Sequence, residues 1–106
     1  MSMVQLIVME AILCAAIWYD DGNLYPHQEI YGVDSGFVIG GFRHNNIIGA
    51  FPTNNKHRND GKEYKTIQGF ITSCGRFVNR EKAAKMAYES GQIREQLKRL
   101  FSEDLY

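Results

Sequence analysis

The stretch Ile67-Gln-Gly-Phe-Ile-Thr-Ser-Cys-Gly-Arg-Phe-Val-Asn-Arg-Glu-Lys-Ala-Ala-Lys-Met-Ala-Tyr-Glu-Ser-Gly-Gln-Ile93 reads as a strand, a tight turn and a helix with both ends marked. Ile67, Phe70 and Ile71 are strand formers, and Ser73 to Gly75 supplies turn residues. Asn79 is the expected N-cap, because its side-chain oxygen can accept from the free amides of a helix's first turn. Glu81 then sets negative charge near the positive end of the helix dipole. Ala83, Met86, Ala87 and Ser90 recur at helical spacing and make a small packing face. Gly91 suits the position where positive φ ends a helix.

Downstream, Ile93, Gln96, Leu97, Leu100 and Phe101 predict an amphipathic last helix. Upstream, residues 3–8 could begin a strand. Ala11 to Tyr19 reads as a buried strand, with an alanine-rich helix as the alternative. Asp20-Asp21-Gly22-Asn23 is a turn signal that favours a hairpin, with Leu24-Tyr25 starting the returning arm and Pro26 limiting it. His27 to Val33 is an irregular connection. Gly36 to Phe42 reads as the next strand, its glycines marking a bulge or a close approach. A short helix capped by Asn45 or Asn46 follows and ends before Pro52. Thr53 to Lys62 reads as an exposed, mobile loop. Strands come first and helices last, which predicts an α+β fold. A small antiparallel sheet carries helices on one face, two of them C-terminal.

At 106 residues, with 44% hydrophobic and 12% aromatic composition, the chain is expected to form one globular domain. Twelve basic and twelve acidic residues balance, so no global field draws it to nucleic acid polymers or membranes, and an anion must be held by a local cluster. Cys14 and Cys74 are too few for a disulfide scaffold and lack zinc-ligand spacing, which fits a reducing compartment. The apolar run from residue 3 to Trp18 has no basic start, and Gln5 and Glu10 interrupt it. A membrane helix needs about 20 unbroken apolar residues, so a cytoplasmic protein is expected.

No catalytic signature stands out. His27, His44 and His57 lie in separate segments without metal-ligand spacing. Ser73-Cys74-Gly75 lacks the flanks of a nucleophile elbow, and Asp20 and Asp21 are residues that turns recruit. Neither a phosphate-binding loop nor a dinucleotide fingerprint is present. The expectation is a non-enzyme with no cofactor and no metal. Binding features are better. Arg43 and His44 stand where a glycine-rich strand meets a short helix, a place where side chains and helix N–H groups can face one ligand, or else a surface pair. Phe77 could stack on a base and Arg80 reach a phosphate with paired donors. Residue chemistry taken by itself favours a core Phe77 and a solvated Arg80. Arg94, Lys98 and Arg99 make a basic edge that is either a solvated face or the completion of an anion pocket in an oligomer.

The segments Ala15-Ala-Ile-Trp-Tyr-Asp-Asp-Gly22, Ile39-Gly-Gly-Phe-Arg-His44, Gln68-Gly-Phe-Ile-Thr72 and Arg76-Phe-Val-Asn-Arg-Glu-Lys-Ala83 together resemble the phage Thoeris anti-defence sponges, most nearly the first-described family. The resemblance spans most of residues 11 to 93. It implies an α+β protein that sequesters cyclic ADP-ribose isomers, and in some members cyclic trinucleotides of the CBASS system, without cleaving them. It also implies a homo-oligomer, a dimer or a hexamer built from dimers, working in the cytoplasm of the infected host. Carried over motif by motif, Phe77 stacks on adenine and Arg80 contacts phosphate or ribose. Arg43 and His44 serve a second nucleotide site, and Arg94 and Arg99 stand for arginines of the last helix, though they are not one helical turn apart. A sponge needs affinity without turnover, so stacking and charge-assisted hydrogen bonds suffice. The alternatives are a phage module that binds a host protein through exposed aromatics, and an enzyme that cleaves the same nucleotides.

Overall fold

The computed structural model describes residues 10–53 and 64–106. The expected strand at residues 3–8 and most of the expected loop after Thr53, His57 included, lie outside the described residues. Four strands form one antiparallel sheet in the order β2-β1-β3-β4: β1 (Ile12–Asp20), β2 (Phe37–Gly41), β3 (Lys65–Thr72) and β4 (Phe77–Asn79). Three helices accompany it: α1 (His44–Ala50), α2 (Arg80–Glu89) and the single turn α3 (Ser102–Leu105). The α+β expectation holds, with two helices C-terminal.

Central β1 explains why Ala11 to Tyr19 is so apolar. It pairs with β2 (Ile17 opposite Ile39) and with β3 (Ala15 opposite Phe70), so neither edge is free. Alternation sends Ala15, Ile17 and Tyr19 to one face, where they meet Phe70, Val78 and the buried residues of α1 and α2. A register shift between Ile12 and Cys14 leaves Leu13 exposed. Tyr19 is fully buried. Its hydroxyl donates to the Phe51 carbonyl at 2.6 Å, and its ring packs against both Phe37 and Phe51.

The turn at Asp20-Asp21-Gly22-Asn23 forms as expected, with the Asp20 and Asp21 carboxylates accepting from the amides of Gly22 and Asn23. The returning arm, however, is Phe37–Gly41 and not Leu24-Tyr25. Pro26 cannot donate to a ladder, and Leu24 finds no face to bury against. Instead, residues 21–36 run over the second face of the sheet and touch both of its edges. Gln28 accepts from the Val38 amide at β2, while Tyr31 exchanges main-chain bonds with Gly75 and Phe77 at β4. Gly36 closes this connection at φ 78°, where an added Cβ would lie 2.2 Å from the Tyr19 carbonyl oxygen.

The segment that ends in α2 carries one element more than expected. Thr72 to Arg76 makes the turn around Gly75, but Phe77–Asn79 pairs with Gly69–Ile71 as a short strand before the helix starts. Asn79 caps α2 as expected, its side chain accepting from the Lys82 amide at 2.8 Å, and Gly91 ends it at φ 80°. The cap of α1 differs. Arg43, not Asn45 or Asn46, holds the cap position, and Asn46 reaches back to accept from the Arg43 amide at 3.1 Å.

The amphipathic helix expected over residues 93–101 is replaced by irregular chain. Tertiary bonds override a weak local preference. Gln92 brackets Ile12, accepting from its amide and donating to its carbonyl, both at 2.8 Å, and this pins the segment's start. Its end is pinned by Leu100, which is fully buried and bonded to the main chain of Arg80. Only past Phe101 does a helical turn form.

Candidate functional site

Alternation along β4 decides where the candidate residues go. Phe77 faces away from the helices: it is buried, its ring meets Trp18 edge-on at 6.0 Å, and it covers Gly69. Arg80 turns to the helix side, where its guanidinium donates to the Gln68 side chain and to the Leu100 carbonyl at 3.1 Å. Phe77 and Arg80 are therefore not brought together. Beneath Arg80 lies the Phe101 ring, 4.4 Å from the guanidinium carbon.

What the fold does bring together is the start of α1, the start of α2 and the chain around α3. His44, the first residue of α1, is buried against Phe70, with Nε2 2.8 Å from the Gly69 carbonyl oxygen. As the donor in that bond Nε2 carries the hydrogen. Burial pushes the His44 pKa down, opposed by the Gly69 bond; nearby Arg80 pushes it down further and Glu103 pushes it up. Arg80 feels the same neighbours: burial lowers its pKa, Glu103 raises it and Arg99 lowers it. Arg99 is exposed and pairs with Glu81 at 3.4 Å, beside Arg80 in sequence. Arg43 completes the set. One of its nitrogens donates to the Tyr106 main-chain oxygen, the other lies 3.8 Å from Glu103, and its guanidinium rests on the rings of Phe42 and Tyr106.

Four of the six candidate residues, Arg43, His44, Arg80 and Arg99, thus form one basic patch with Glu103 among them. Arg94 stands apart, in a shallow groove with Gln92, Leu97 and Asp104. Sequence reasoning does not give Phe42, Phe101, Glu103 and Tyr106 as site residues. Phe42 reads as a strand residue, and Phe101 as part of the apolar face of a helix that does not form. The signal available was the adjacency of Phe42 to Arg43.

An open cleft of about 460 Å³ lies elsewhere, between Arg76, Glu10 and the Lys82, Lys85 side of α2. Arg76 is committed there, donating to both oxygens of Glu10 at 2.8 and 2.9 Å and so, with Thr72, lowering the Glu10 pKa. Among the described residues no group of three or more histidine, cysteine or acidic side chains gathers to hold a metal. Among them, too, no helix is long and apolar enough to cross a membrane.

The model of the phage T4 y16D protein family matches residues 11–106. The chain belongs to this phage protein family. The match begins at the threshold of β1 and takes in every strand and helix above, together with the whole basic patch. No curated protein and no solved structure gives a significant match.

Proposed function

We propose that the protein is an anti-defence sponge that binds small cyclic nucleotide signals, cyclic ADP-ribose isomers and also cyclic trinucleotides, and holds them without cleavage. The observation that carries this reading is the convergence of Arg43, Arg80 and Arg99 with His44 on one patch flanked by exposed aromatic rings. Arginine donors suit phosphate oxygens and aromatic faces suit bases. Binding without turnover is supported by His44, whose Nε2 hydrogen is spent on Gly69 and whose basicity is lowered, so it is poorly placed as an acid or base. Membership of a phage protein family fits an anti-defence role. A homo-oligomer, a dimer or a hexamer of dimers, working in the host cytoplasm belongs to the same reading.

The test is calorimetric titration with a panel of cyclic ADP-ribose isomers and cyclic trinucleotides, then heating and chromatography of the released ligand. Tight binding with intact ligand recovered is expected. Arg43→Gln and Arg99→Gln should each weaken it about tenfold, the size of one charge-assisted hydrogen bond. If no member of the panel binds, the reading fails. If ligand returns cleaved, the protein is an enzyme. A second reading, a module that docks on a host protein, is favoured by the apolar residues Leu24 and Tyr31, 78% and 54% exposed on the long connection. It predicts that Leu24→Ser and Tyr31→Ser abolish function while nucleotide binding is absent.

A further inference from the structure

We propose that Phe42 is the base-stacking platform of this site, and that the Tyr106 ring occupies, in the free protein, the position a ligand's base takes. This rests on the nucleotide-binding reading above and assigns the stack to a residue other than Phe77.

Phe42 is 62% exposed at the end of β2, immediately before Arg43, whereas Phe77 is 7% exposed and walled by Trp18. A ring that must accept a base needs a face that a ligand can reach, and among the described residues Phe42 has one ring partner besides the Arg43 guanidinium. That partner is Tyr106, which stacks on it nearly parallel, with centroids 4.6 Å apart and planes 20° apart. The pair is a surface contact, since Tyr106 is itself 43% exposed. Parallel stacking of this kind is how aromatic side chains hold bases.

Arg43 sharpens the parallel. Its guanidinium lies 5.0 Å from the Phe42 centroid and 5.3 Å from that of Tyr106, and Nη2 donates to the main-chain oxygen of Tyr106 itself. A flat ring on Phe42 and an oxygen belonging to the same group on Arg43 are the two features of a nucleotide with its base and its phosphate. The second donor is unspent. Nη1 of Arg43 is buried and makes no hydrogen bond among the described residues, and the Glu103 carboxylate is 3.8 Å away. Such a group calls for a partner. A phosphate, with several acceptor oxygens on one atom, can engage both nitrogens.

The Tyr106 ring is held apart from the core, at the surface end of the covering segment. Leu100 and Ser102 are buried, and beyond them the chain is tied by one helical turn, the packing of half-buried Leu105 on the core, the stack, the bond from Arg43 to the Tyr106 main-chain oxygen and the bond from the Tyr106 hydroxyl to the Phe42 carbonyl. The Tyr106 ring can therefore lift while Leu100 stays in the core. The ligand class is a nucleotide that carries a flat base and at least one phosphate within reach of Arg43.

The test titrates wild type, Phe42→Leu and Tyr106→Ala with each cyclic ADP-ribose isomer and with inorganic pyrophosphate, which has phosphate and no base. Thermal unfolding of each variant controls for folding, and the exposure of both rings makes intact folding the expected result. Phe42→Leu should weaken binding of the nucleotide about tenfold or more. Tyr106→Ala should tighten it several-fold by removing the competing stack. Neither change should alter pyrophosphate binding by more than about twofold. Equal affinity in Phe42→Leu and wild type overturns the proposal while leaving the sponge reading intact. So does weakening in Tyr106→Ala, which would make Tyr106 part of the site. Wild type that binds none of the isomers overturns the proposal, and the sponge reading falls with it only when the cyclic trinucleotides also fail to bind.

Discussion

Arg80 and Leu100 are joined by two hydrogen bonds that run in opposite directions. The Leu100 amide donates to the Arg80 carbonyl at 3.0 Å, and Nη1 of Arg80 donates to the Leu100 carbonyl at 3.1 Å. The pair folds the last segment back onto the start of α2. It also gives Arg80 two roles, as a candidate ligand contact and as a clamp on the chain that flanks the site.

Arg80→Ala is therefore expected to lower stability by about 2 kcal/mol, the cost of losing hydrogen bonds from a charged group. Arg99→Ala removes only an exposed pair with Glu81 and should cost less than about 0.5 kcal/mol. Urea unfolding of both variants checks this. Equal stabilities would show that the Arg80 bonds to Leu100 and Gln68 contribute nothing.

Stability should also report His44. Its pKa in the fold is lowered from 6.5, chiefly by burial, so the unfolded chain binds the proton more readily. The contribution is complete above about pH 6.5, falls as pH drops through that value, and levels off below the folded pKa. His44→Gln, which can still donate to Gly69, should flatten this slope. The slope is separate from that of Glu10, whose pKa is lowered from 4.5 by bonds from Arg76 and Thr72 and whose support is lost only below that value. A profile in His44→Gln that matches wild type as pH falls through 6.5 would refute the assignment.

The cap of α2 makes a third case. Asn79 bonds the Lys82 amide, so Asn79→Ala should cost about 1 kcal/mol, and Asn79→Asp should be close to neutral because Asp caps as well. Thermal unfolding of the two side by side measures the difference. A neutral Ala variant would mean that the bond is replaced by water at no loss.

That cap shows what kind of structure a sequence discloses. Asn79, Gly91 and the Asp20 turn act through bonds a few residues long, so their chemistry is visible in the letters themselves. The failed expectations share the opposite property. Residues 93–101 have helical spacing, but Gln92 and Leu100 are bound to Ile12 and Arg80, far away in the chain. Leu24-Tyr25 looked like a returning arm because the turn before it was local, whereas the true arm is chosen by pairing with β1 over a long connection. The site divides in the same way. Arg43 and His44 were legible as a strand-to-helix step, but their meeting with Arg80 and Arg99 depends on how α1, α2 and the last segment pack. Phe42 carries no local signal of its stack, because its partner, Tyr106, is remote in sequence.

Gly69 is where these layers meet, and it gives the most severe prediction. Its carbonyl accepts from His44 of α1, while on the other face the Phe77 ring lies directly over its Cα. An added Cβ would stand 2.1 Å from the Val78 carbonyl oxygen and 2.7 Å from Cζ of Phe77. The second contact is with a side chain that can turn aside. The first is with the backbone of the paired strand, which cannot move without opening the β3–β4 ladder. Gly69→Ala should accordingly cost about 3 kcal/mol or more, the upper range for overpacking. Adding Phe77→Leu should not restore stability, because it relieves the lesser clash and leaves the backbone one. Urea unfolding of the single and double variants decides the matter. Rescue by Phe77→Leu would show that the ring, not the strand pairing, demands glycine here, and an unaffected Gly69→Ala would rule out the close approach altogether.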